Sequence, residues 1–246
     1  MAKNLTLIFP VRNEKENLKI LLPRVEKLLD SRTEIIIVDD GSNDGLEEIK
    51  DIFSFLNLKI VKNRKRGLAS AIDTGIKNAT TEIICWMDAD LSMPVELIPE
   101  MVKFISEYAI VVGSRYICSG KDKRNNRIRV LTSKLFNLMS KKILNTETCD
   151  LTSGFIAIRK EVLKELKIEG KLGEYFLNLI FQAEKKGFRI KEIPYIFQER
   201  RKGKSKIAPT PFVFLRNSLF YLRMLLRLKF CNLFSGKDNK VLDKET

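Results

Sequence analysis

The first half of the chain alternates between short apolar runs and segments with helical spacing. Five apolar runs have the length of buried β-strands, and polar turns follow them. They are Leu5–Phe9, Glu34–Val38, Leu58–Val61, Glu82–Met87 and Ala109–Gly113. Between them, apolar residues recur every three or four positions, which predicts helices. These helices span Glu14–Leu29, Gly45–Phe55, Leu68–Asn78 and Pro94–Glu107.

Strands that alternate with crossover helices predict an α/β fold, in which helices cover both faces of a mostly parallel central sheet. Pro23 is expected to kink or divide the first helix, and Pro94 suits the first turn of the fourth. The second half of the chain is less regular. Its predicted elements are a basic loop and helix over Lys121–Leu144, strands at Phe155–Ile158 and Arg189–Phe197, and helices at Glu174–Lys186 and Phe212–Leu233.

Polar side chains follow four of the predicted strands. Ligands of open parallel sheets gather at the carboxyl ends of the strands, so these positions are the first candidates for a site. Turn chemistry alone explains one polar loop, but four loops at one edge of a sheet predict a binding site. The four loops are Pro10–Glu14, Asp39–Asp44, Asp88–Asp90 and Ser114–Tyr116.

Two of these loops carry paired carboxylates. Asp88 and Asp90 follow a buried strand and can approach one cation together, as Mg²⁺ sites with substrate phosphates require. The alternative for this pair is a solvated turn. Asp39 and Asp40 can accept a base N–H or a ribose hydroxyl, and their alternative is a turn that caps the next helix.

Composition narrows the possible chemistry. Lys and Arg number 45 against 31 Asp and Glu, a net charge of +14, which suggests a polyanionic partner or a solvated basic surface. The chain has no histidine, so acid–base chemistry must use another group. Its four cysteines lack the spacing of a metal site, and reduced thiols are expected. Neither a signal peptide nor a transmembrane helix is predicted.

Six short motifs, in this order, resemble those of the family-2 inverting glycosyltransferases. Their order and spacing are similar to the branch that contains the dolichyl-phosphate mannose synthases and polyisoprenyl-phosphate glucosyltransferases. The motifs are Pro10-Val11-Arg12-Asn13-Glu14 with Asn17, Val38–Gly45, Asp88-Ala89-Asp90-Leu91 with Pro94 and Glu96, Val112–Tyr116, Thr152–Phe155, and Arg200 with Gly203, Ser205 and Lys206.

The resemblance implies a nucleotide-diphosphosugar (GT-A) fold and assigns roles to individual residues. The nucleotide pocket would be lined by Pro10, Arg12, Glu14, Val38, Asp39 and Asp40. The diphosphate and a Mg²⁺ or Mn²⁺ ion would lie at Asp88, Ala89 and Asp90, with Ser92 where the branch usually has a glutamine ligand. Phosphate or donor sugar would be held by Arg115, Arg200 and Lys206, which with Asp90 form the implied catalytic set. The acceptor phosphate would meet Arg115, Arg129 and Ser133.

The implied reaction explains how the enzyme can lack histidine. The oxygen of a polyisoprenyl phosphate is already anionic, so it needs positioning and charge screening rather than a general base. Arg129 and Ser133 are four residues apart on a predicted helix and therefore share a face. The predicted reaction is in-line attack on the anomeric carbon of a nucleotide sugar, of the GDP-mannose or UDP-glucose type, with inversion.

The C-terminal part of the chain is predicted as a separate element. Residues 1–208 would form the catalytic domain, 209–234 an amphipathic helix at a membrane interface, and 235–246 a polar, disordered tail. Basic residues in this helix make a membrane span costly and favour headgroup contact. The alternative is a helix packed on the domain, and pairing with itself or a membrane partner is also open. The expected location is peripheral, on the cytoplasmic face of a membrane.

Three other interpretations remain open from the sequence. The first is a family-2 transferase with a soluble or polysaccharide acceptor, which gives no role to Arg129 or the amphipathic C-terminus. The second is a basic nucleic-acid-binding protein, although no binding motif supports it and no nucleic acid partner is predicted. The third is a non-catalytic relative, which the presence of both motif carboxylates disfavours.

Overall fold

The computed structural model describes residues 4–200 and 211–242, with side chains of the last helix described from 212 to 230. Nine strands and eight α-helices occur in these ranges. The strands are β1 Leu5–Val11, β2 Glu34–Asp39, β3 Leu58–Lys62, β4 Ile83–Trp86, β5 Ile110–Ser114, β6 Lys121–Asp122, β7 Ile156–Arg159, β8 Ile190–Pro194 and β9 Ile196–Phe197. The helices are α1 Lys15–Leu28, α2 Glu48–Ile52, α3 Leu68–Asn78, α4 Ile98–Phe104, α5 Arg127–Leu144, α6 Lys160–Leu163, α7 Glu174–Lys185 and α8 Pro211–Leu242.

Seven strands form the central sheet in the order β3-β2-β1-β4-β7-β5-β8. The pairs β1–β2, β1–β4, β2–β3 and β5–β8 are parallel, whereas β7 is antiparallel to both β4 and β5. Strands β6 and β9 form a separate parallel pair. The prediction of a mostly parallel sheet is confirmed.

Successive residues of the buried strands point to opposite faces of the sheet, and each face has its own core. Leu7 and Phe9 belong to the core that also contains residues of α1 and α4. Ile8 and Trp86 belong to the other core, with residues of α3, α7 and α8. Because apolar side chains cover both faces, the strands read as nearly continuous apolar runs, as is typical of parallel sheets.

Two predicted elements differ from the structure. Helix α1 runs without a break through Pro23, because Leu18, Leu21, Leu22 and Val25 on both sides of it are buried. The helix is therefore not divided at Pro23, and the alternative of a kink there stays a prediction. The strand predicted at residues 189–197 is two strands, since Tyr195 donates its N–H to Ser114 and accepts from Lys121, so the chain passes from one sheet to the other there.

Helix α8 packs along the molecule through Met224, Leu225 and Leu228, which are buried against α7 and α5. The helix continues to Leu242, past the predicted helix end and into the predicted tail. Within residues 4–200 and 211–242, no helix has both the length and the apolarity that crossing a membrane requires.

Candidate active site

A cleft of about 1380 Å³ opens at the carboxyl ends of the central strands. It brings together most of the predicted site residues, although they come from distant parts of the chain. Those that line it are Pro10, Arg12, Glu14, Asp40, Asp88, Ala89, Asp90, Ser92, Arg115, Arg129, Ser133 and Arg200. Lys206, the remaining predicted catalytic residue, lies outside the described residues.

Val38 and Asp39, both predicted to line the nucleotide pocket, are not among the residues that line the cleft. The Val38 side chain is fully buried in the core beneath α3. Asp39 shapes the loop after β2, because its Oδ1 accepts hydrogen bonds from the backbone N–H groups of Gly41 at 3.1 Å and Ser42 at 2.7 Å. The turn interpretation of Asp39 therefore describes its observed contacts.

Asp40 faces the cleft, but protein donors already contact its carboxylate. Its Oδ1 accepts from Asn63 Nδ2 at 2.7 Å and from the Gly67 N–H at 3.0 Å. Asn63 in turn accepts hydrogen bonds from Ser70 and Thr74 of α3, each at 3.1 Å. The network ties the loop after β3 to Asp40, so this carboxylate is held in one position at its end of the cleft.

The Asp88-Ala89-Asp90 segment follows β4 and lies at the floor of the cleft. Burial and the negative charge of Asp90 raise the pKa of Asp88 to about 7. Asp90 is 6% exposed, and its Oδ1 accepts from the N–H and the hydroxyl of Ser92 at 3.0 and 2.5 Å. Two carboxylates thus lie in a poorly solvated place, where a cation would lower their mutual repulsion.

Arg200 supplies positive charge at this point. Its Nη2 lies 2.9 Å from Asp90 Oδ2, and its Nη1 donates to Glu14 Oε1 at 2.8 Å. Burial alone would lower the pKa of Arg200, but the charges of Asp90 and Glu14 outweigh it and raise that pKa. Gln198 N–H donates to the Ser92 carbonyl at 2.9 Å, which fixes the segment that carries Arg200 beside Asp90.

Arg115, for which the motif implies phosphate binding, lines the cleft and is already paired with a carboxylate of the protein. Its backbone N–H and Nε donate to Asp150 Oδ2 at 2.9 and 2.8 Å, and its Nη2 donates to Asp150 Oδ1 and Thr152 Oγ1, each at 2.8 Å. Asp122 lies 3.8 Å from Nη1. Burial would lower the pKa of Arg115, but Asp150 outweighs it and raises that pKa.

The opposite end of the cleft is built by α5 and α8. Asn126 caps α5, because its side chain accepts a hydrogen bond from the Arg129 N–H at 3.0 Å. The guanidinium of Arg129 lies 5.9 Å from the ring centre of Phe214 on α8. Ser133, one turn further along α5, accepts the hydroxyl of Tyr116 at 2.8 Å. Arg129 and Ser133 therefore lie on one face of α5 and line the cleft together, as predicted.

The sequence assigns no role to several residues in or next to the cleft. Asp150 does not line the cleft but is fully buried beside Arg115, and an aspartate directly before the Leu151–Phe155 segment is a candidate partner for a motif arginine. Asn217, Ser218 and Tyr221 of α8 line the cleft itself. The helical spacing of α8 shows its apolar positions, but nothing in the sequence indicates which helix its polar face meets.

The donor atoms near Asp90 suit a hard divalent cation. Asp88, Asp90 and Ser92 offer only oxygen, and Arg200 already places positive charge against Asp90 Oδ2. Within the described part of the chain, no cluster of three Asp, Glu, Cys or His side chains is arranged to hold a metal. Residues with this chemistry fit Mg²⁺ or Mn²⁺, with water and diphosphate oxygens completing the coordination.

The sequence model of glycosyl transferase family 2 matches residues 6–167, more than half of the chain. This stretch contains the Asp39–Asp40, Asp88–Asp90 and Arg115 loops described above. The chain belongs to this family, and its fold is the GT-A fold that the motifs implied.

Individual relatives carry more specific names. A dolichol-phosphate mannosyltransferase of Pyrococcus furiosus is 32% identical over 219 residues, covering 86% of this chain and 62% of that protein. The chain therefore spans less than two thirds of the length of that relative. A polyprenol monophosphomannose synthase of Mycolicibacterium smegmatis is 30% identical over 214 residues, covering 82% of this chain and 80% of the relative. A dolichol-phosphate mannosyltransferase of Saccharomyces cerevisiae is 30% identical, and 82% of it is covered.

Solved structures support the fold. Glucosyl-3-phosphoglycerate synthase from Mycobacterium tuberculosis, in complex with Mn²⁺, UDP and glucosyl-3-phosphoglycerate, superposes with a TM-score of 0.72 at 18% identity. The match covers 92% of this chain and 80% of that one. The same enzyme in complex with Mg²⁺ and UDP also gives a TM-score of 0.72, at 17% identity.

Proposed function

We propose that the chain transfers a hexose from a nucleotide diphosphosugar to a polyisoprenyl phosphate, with inversion at the anomeric carbon. One observation carries this proposal: a single cleft joins the carboxylates of Asp88 and Asp90 to Arg129 and Ser133 of α5, and both α5 and α8, which line this cleft, carry exposed apolar side chains. A lipid phosphate needs cationic and hydroxyl groups for its head and apolar surface for its chain. The names of the relatives agree with such an acceptor.

In this proposal, Arg129 and Ser133 orient the acceptor phosphate, whose oxygen attacks the anomeric carbon from the side opposite the diphosphate. A new carbon–oxygen bond forms, the bond to the diphosphate breaks, and a nucleoside diphosphate leaves. No proton has to be removed from the acceptor, which is why no histidine is needed. Arg200, whose Nη2 lies 2.9 Å from Asp90 Oδ2, would stabilise the charge that develops on the leaving oxygen.

We assign the predicted metal site to Asp88 and Asp90, with Ser92 next to them. A bound Mg²⁺ or Mn²⁺ would neutralise charge on the diphosphate as it leaves. Asp40 and Arg12 belong to the nucleotide end in this proposal, and the donor is of the GDP-mannose or UDP-glucose type. Arg115 serves mainly to fix the loop after β5, because its guanidinium is already paired with Asp150.

We also propose peripheral attachment to a membrane through one apolar face formed by α5 and α8. This face contains most of the large apolar side chains that are exposed in the described residues. Its members are Ile128, Leu131, Leu135, Leu138, Met139, Phe212, Leu215, Leu219, Leu222, Leu226 and Phe230. Such a face beside the acceptor end of the cleft would bring a lipid phosphate to Arg129. Attachment to the cytoplasmic face remains a prediction from the cysteine content.

The reaction is tested by supplying labelled GDP-mannose and UDP-glucose in turn, each with a polyisoprenyl phosphate and Mg²⁺ or Mn²⁺. A labelled lipid is expected with one donor and should be lost in Asp90→Ala. The matched control is Asp51→Ala, on exposed α2. If sugar is transferred only to soluble acceptors or polysaccharide, the acceptor class is wrong while the family assignment stands.

Membrane attachment is tested by co-sedimentation with anionic liposomes. The double variant Leu131→Asp/Leu219→Asp should reduce binding about tenfold or more, because each exposed leucine contributes on the order of 1 kcal/mol when buried. Phe55→Asp is the matched control, since Phe55 is 62% exposed but lies between α2 and β3. Equal loss in both variants, or loss in neither, would contradict the attachment surface.

A further inference from the structure

Arg200 makes a bridge between two carboxylates that are far apart in the sequence. Nη2 contacts Asp90 Oδ2 at 2.9 Å, while Nη1 contacts Glu14 Oε1 at 2.8 Å. Glu14 is itself positioned, because its Oε2 accepts from Asn17 Nδ2 at 2.6 Å and the residue is 6% exposed. The guanidinium is therefore attached at two points, one of which is a proposed metal ligand.

Both oxygens of Asp90 are engaged in this arrangement. Ser92 donates its N–H and hydroxyl to Oδ1, and Arg200 contacts Oδ2. Mg²⁺ binds a carboxylate oxygen at about 2.0–2.1 Å, so a metal at Oδ2 and a guanidinium nitrogen at 2.9 Å would place two positive charges side by side. A metal that binds Asp90 Oδ2 must therefore compete with Arg200.

The contact between Arg200 and Glu14, unlike that with Asp90, can persist when a metal binds. Glu14 contacts Asn17 and Arg200, and neither of these two contacts has to break when Asp90 takes a cation. Arg200 can then turn away from Asp90 while Nη1 stays on Glu14. The freed Nη2 would remain in the cleft, beside the place where a diphosphate would lie.

We propose that Arg200 occupies the cation position at Asp90 in the unloaded site and is displaced from Asp90 by the metal, while Glu14 retains it for the diphosphate. This inference rests on the metal site of the proposed function and adds a competition to it. Metal alone would bind weakly, since it must break the Arg200 contact. A nucleoside diphosphate would strengthen metal binding, because it gives the displaced guanidinium a new partner. Glu14 acts in this scheme as a positioning residue.

The competition is tested by measuring Mn²⁺ binding without nucleotide, from the paramagnetic resonance signal of free Mn²⁺ over the purified full chain. Arg200→Gln removes the competitor and should bind Mn²⁺ at least about fivefold more tightly than the original chain. Arg200→Lys keeps the charge but cannot bridge two carboxylates, so an intermediate affinity is expected. Circular dichroism checks that each variant is folded.

Arg124→Gln is the matched control for charge. It removes one positive charge from the same cleft, but Arg124 pairs with Asp122 rather than Asp90. Its Mn²⁺ affinity should change less than about twofold. If Arg124→Gln tightens Mn²⁺ binding as much as Arg200→Gln, or if neither variant changes it, the competition is wrong.

The retention by Glu14 is tested with Glu14→Gln, which preserves shape and removes the charge. With saturating Mn²⁺, GDP and UDP are titrated separately, and the affinity for whichever binds should fall in Glu14→Gln and in Arg200→Gln. The double variant should lose little more than Arg200→Gln alone, because both changes act through one guanidinium. Additive losses would overturn the positioning role.

Two failures are distinguishable. If Mn²⁺ binds equally to the original chain and all variants, the competition is overturned and the transferase proposal is unaffected. If none of them binds Mn²⁺, even with GDP or UDP present, this inference and the metal site of the proposed function fail together.

Discussion

Arg115 and Arg200 both direct a guanidinium towards carboxylates at the edge of one cleft, yet their surroundings differ. Three donor groups of Arg115 contact a single carboxylate, Asp150, and its side chain is 5% exposed. Arg200 divides its contacts between Glu14 and Asp90, and its side chain is 20% exposed. Arg115 is built into the protein, whereas Arg200 has divided contacts, which we propose that a metal and a diphosphate can replace.

Two arginines of the motifs can therefore have different surroundings within one cleft. Arg115 and Arg200 were both predicted to hold phosphate or donor sugar. A guanidinium that makes several hydrogen bonds to a buried carboxylate contributes mainly to the shape of its loop. Removing either partner would leave an unpaired buried charge, so the pair is kept together. A guanidinium shared between two carboxylates at the cleft surface can be exchanged during a reaction.

The largest expected effect comes from Asp150→Asn. This change leaves the charge of Arg115 buried with a weaker partner, so the free energy of unfolding should fall by about 3–5 kcal/mol. Urea unfolding followed by the fluorescence of Trp86, the only tryptophan, measures it. A loss below about 1 kcal/mol would mean that the Arg115 cluster is not a structural support, and the contrast with Arg200 would disappear.

Arg200→Gln should have the opposite effects, a large loss of activity and a small loss of stability. Transfer to the lipid phosphate should fall about a hundredfold, since about 2.7 kcal/mol of charge stabilisation on the leaving group is lost. The free energy of unfolding should change by less than half of the Asp150→Asn loss, because the Arg200 side chain is 20% exposed and water can replace part of its contacts. Single-turnover rates and urea unfolding are measured on the same preparation, and a variant that unfolds readily but transfers normally would reverse the comparison.

The smallest expected effect is on stability in acid. Burial raises the pKa of Asp122, but hydrogen bonds and charge from Arg124 and the charge of Arg115 outweigh it and leave that pKa lowered. A lowered pKa contributes stability that is complete above the unfolded value, about 3.9, and is lost as pH falls through the folded value. Asp122→Asn should therefore narrow the difference in unfolding free energy between pH 7 and pH 3, and it should narrow it more than Asp51→Asn, the control on exposed α2.

Much of the fold could be predicted from the sequence because its signals are local. The strands beginning at Leu5, Glu34 and Ile83 are apolar on both faces, and only a sheet covered on both sides buries them. The antiparallel insertion of β7 between β4 and β5 had no such signal. The direction of β7 depends on where the preceding helix, α5, ends relative to the sheet. Long-range packing determines the position of that helix.

The site could be predicted as a set of residues but not as a set of contacts. Asp40, Asp90 and Arg129 were all expected at the site from the resemblance, and all three line one cleft. The pairing of Arg115 with Asp150 joins residues 35 positions apart, and that of Arg200 with Glu14 joins residues 186 positions apart. Such distances exceed any local pattern, so the sequence showed which charges were present but not which of them were already neutralised.

The backbone hydrogen bond from Gln198 to Ser92 limits how far Arg200 can travel. Arg200 follows this anchor by two residues, and two residues span at most about 7 Å. The backbone of Arg200 therefore stays near the Asp88–Asp90 segment, which gives its side chain a high effective concentration there. Arg200 is thus already near the Asp88–Asp90 segment and does not have to be brought there each time a ligand binds in the cleft.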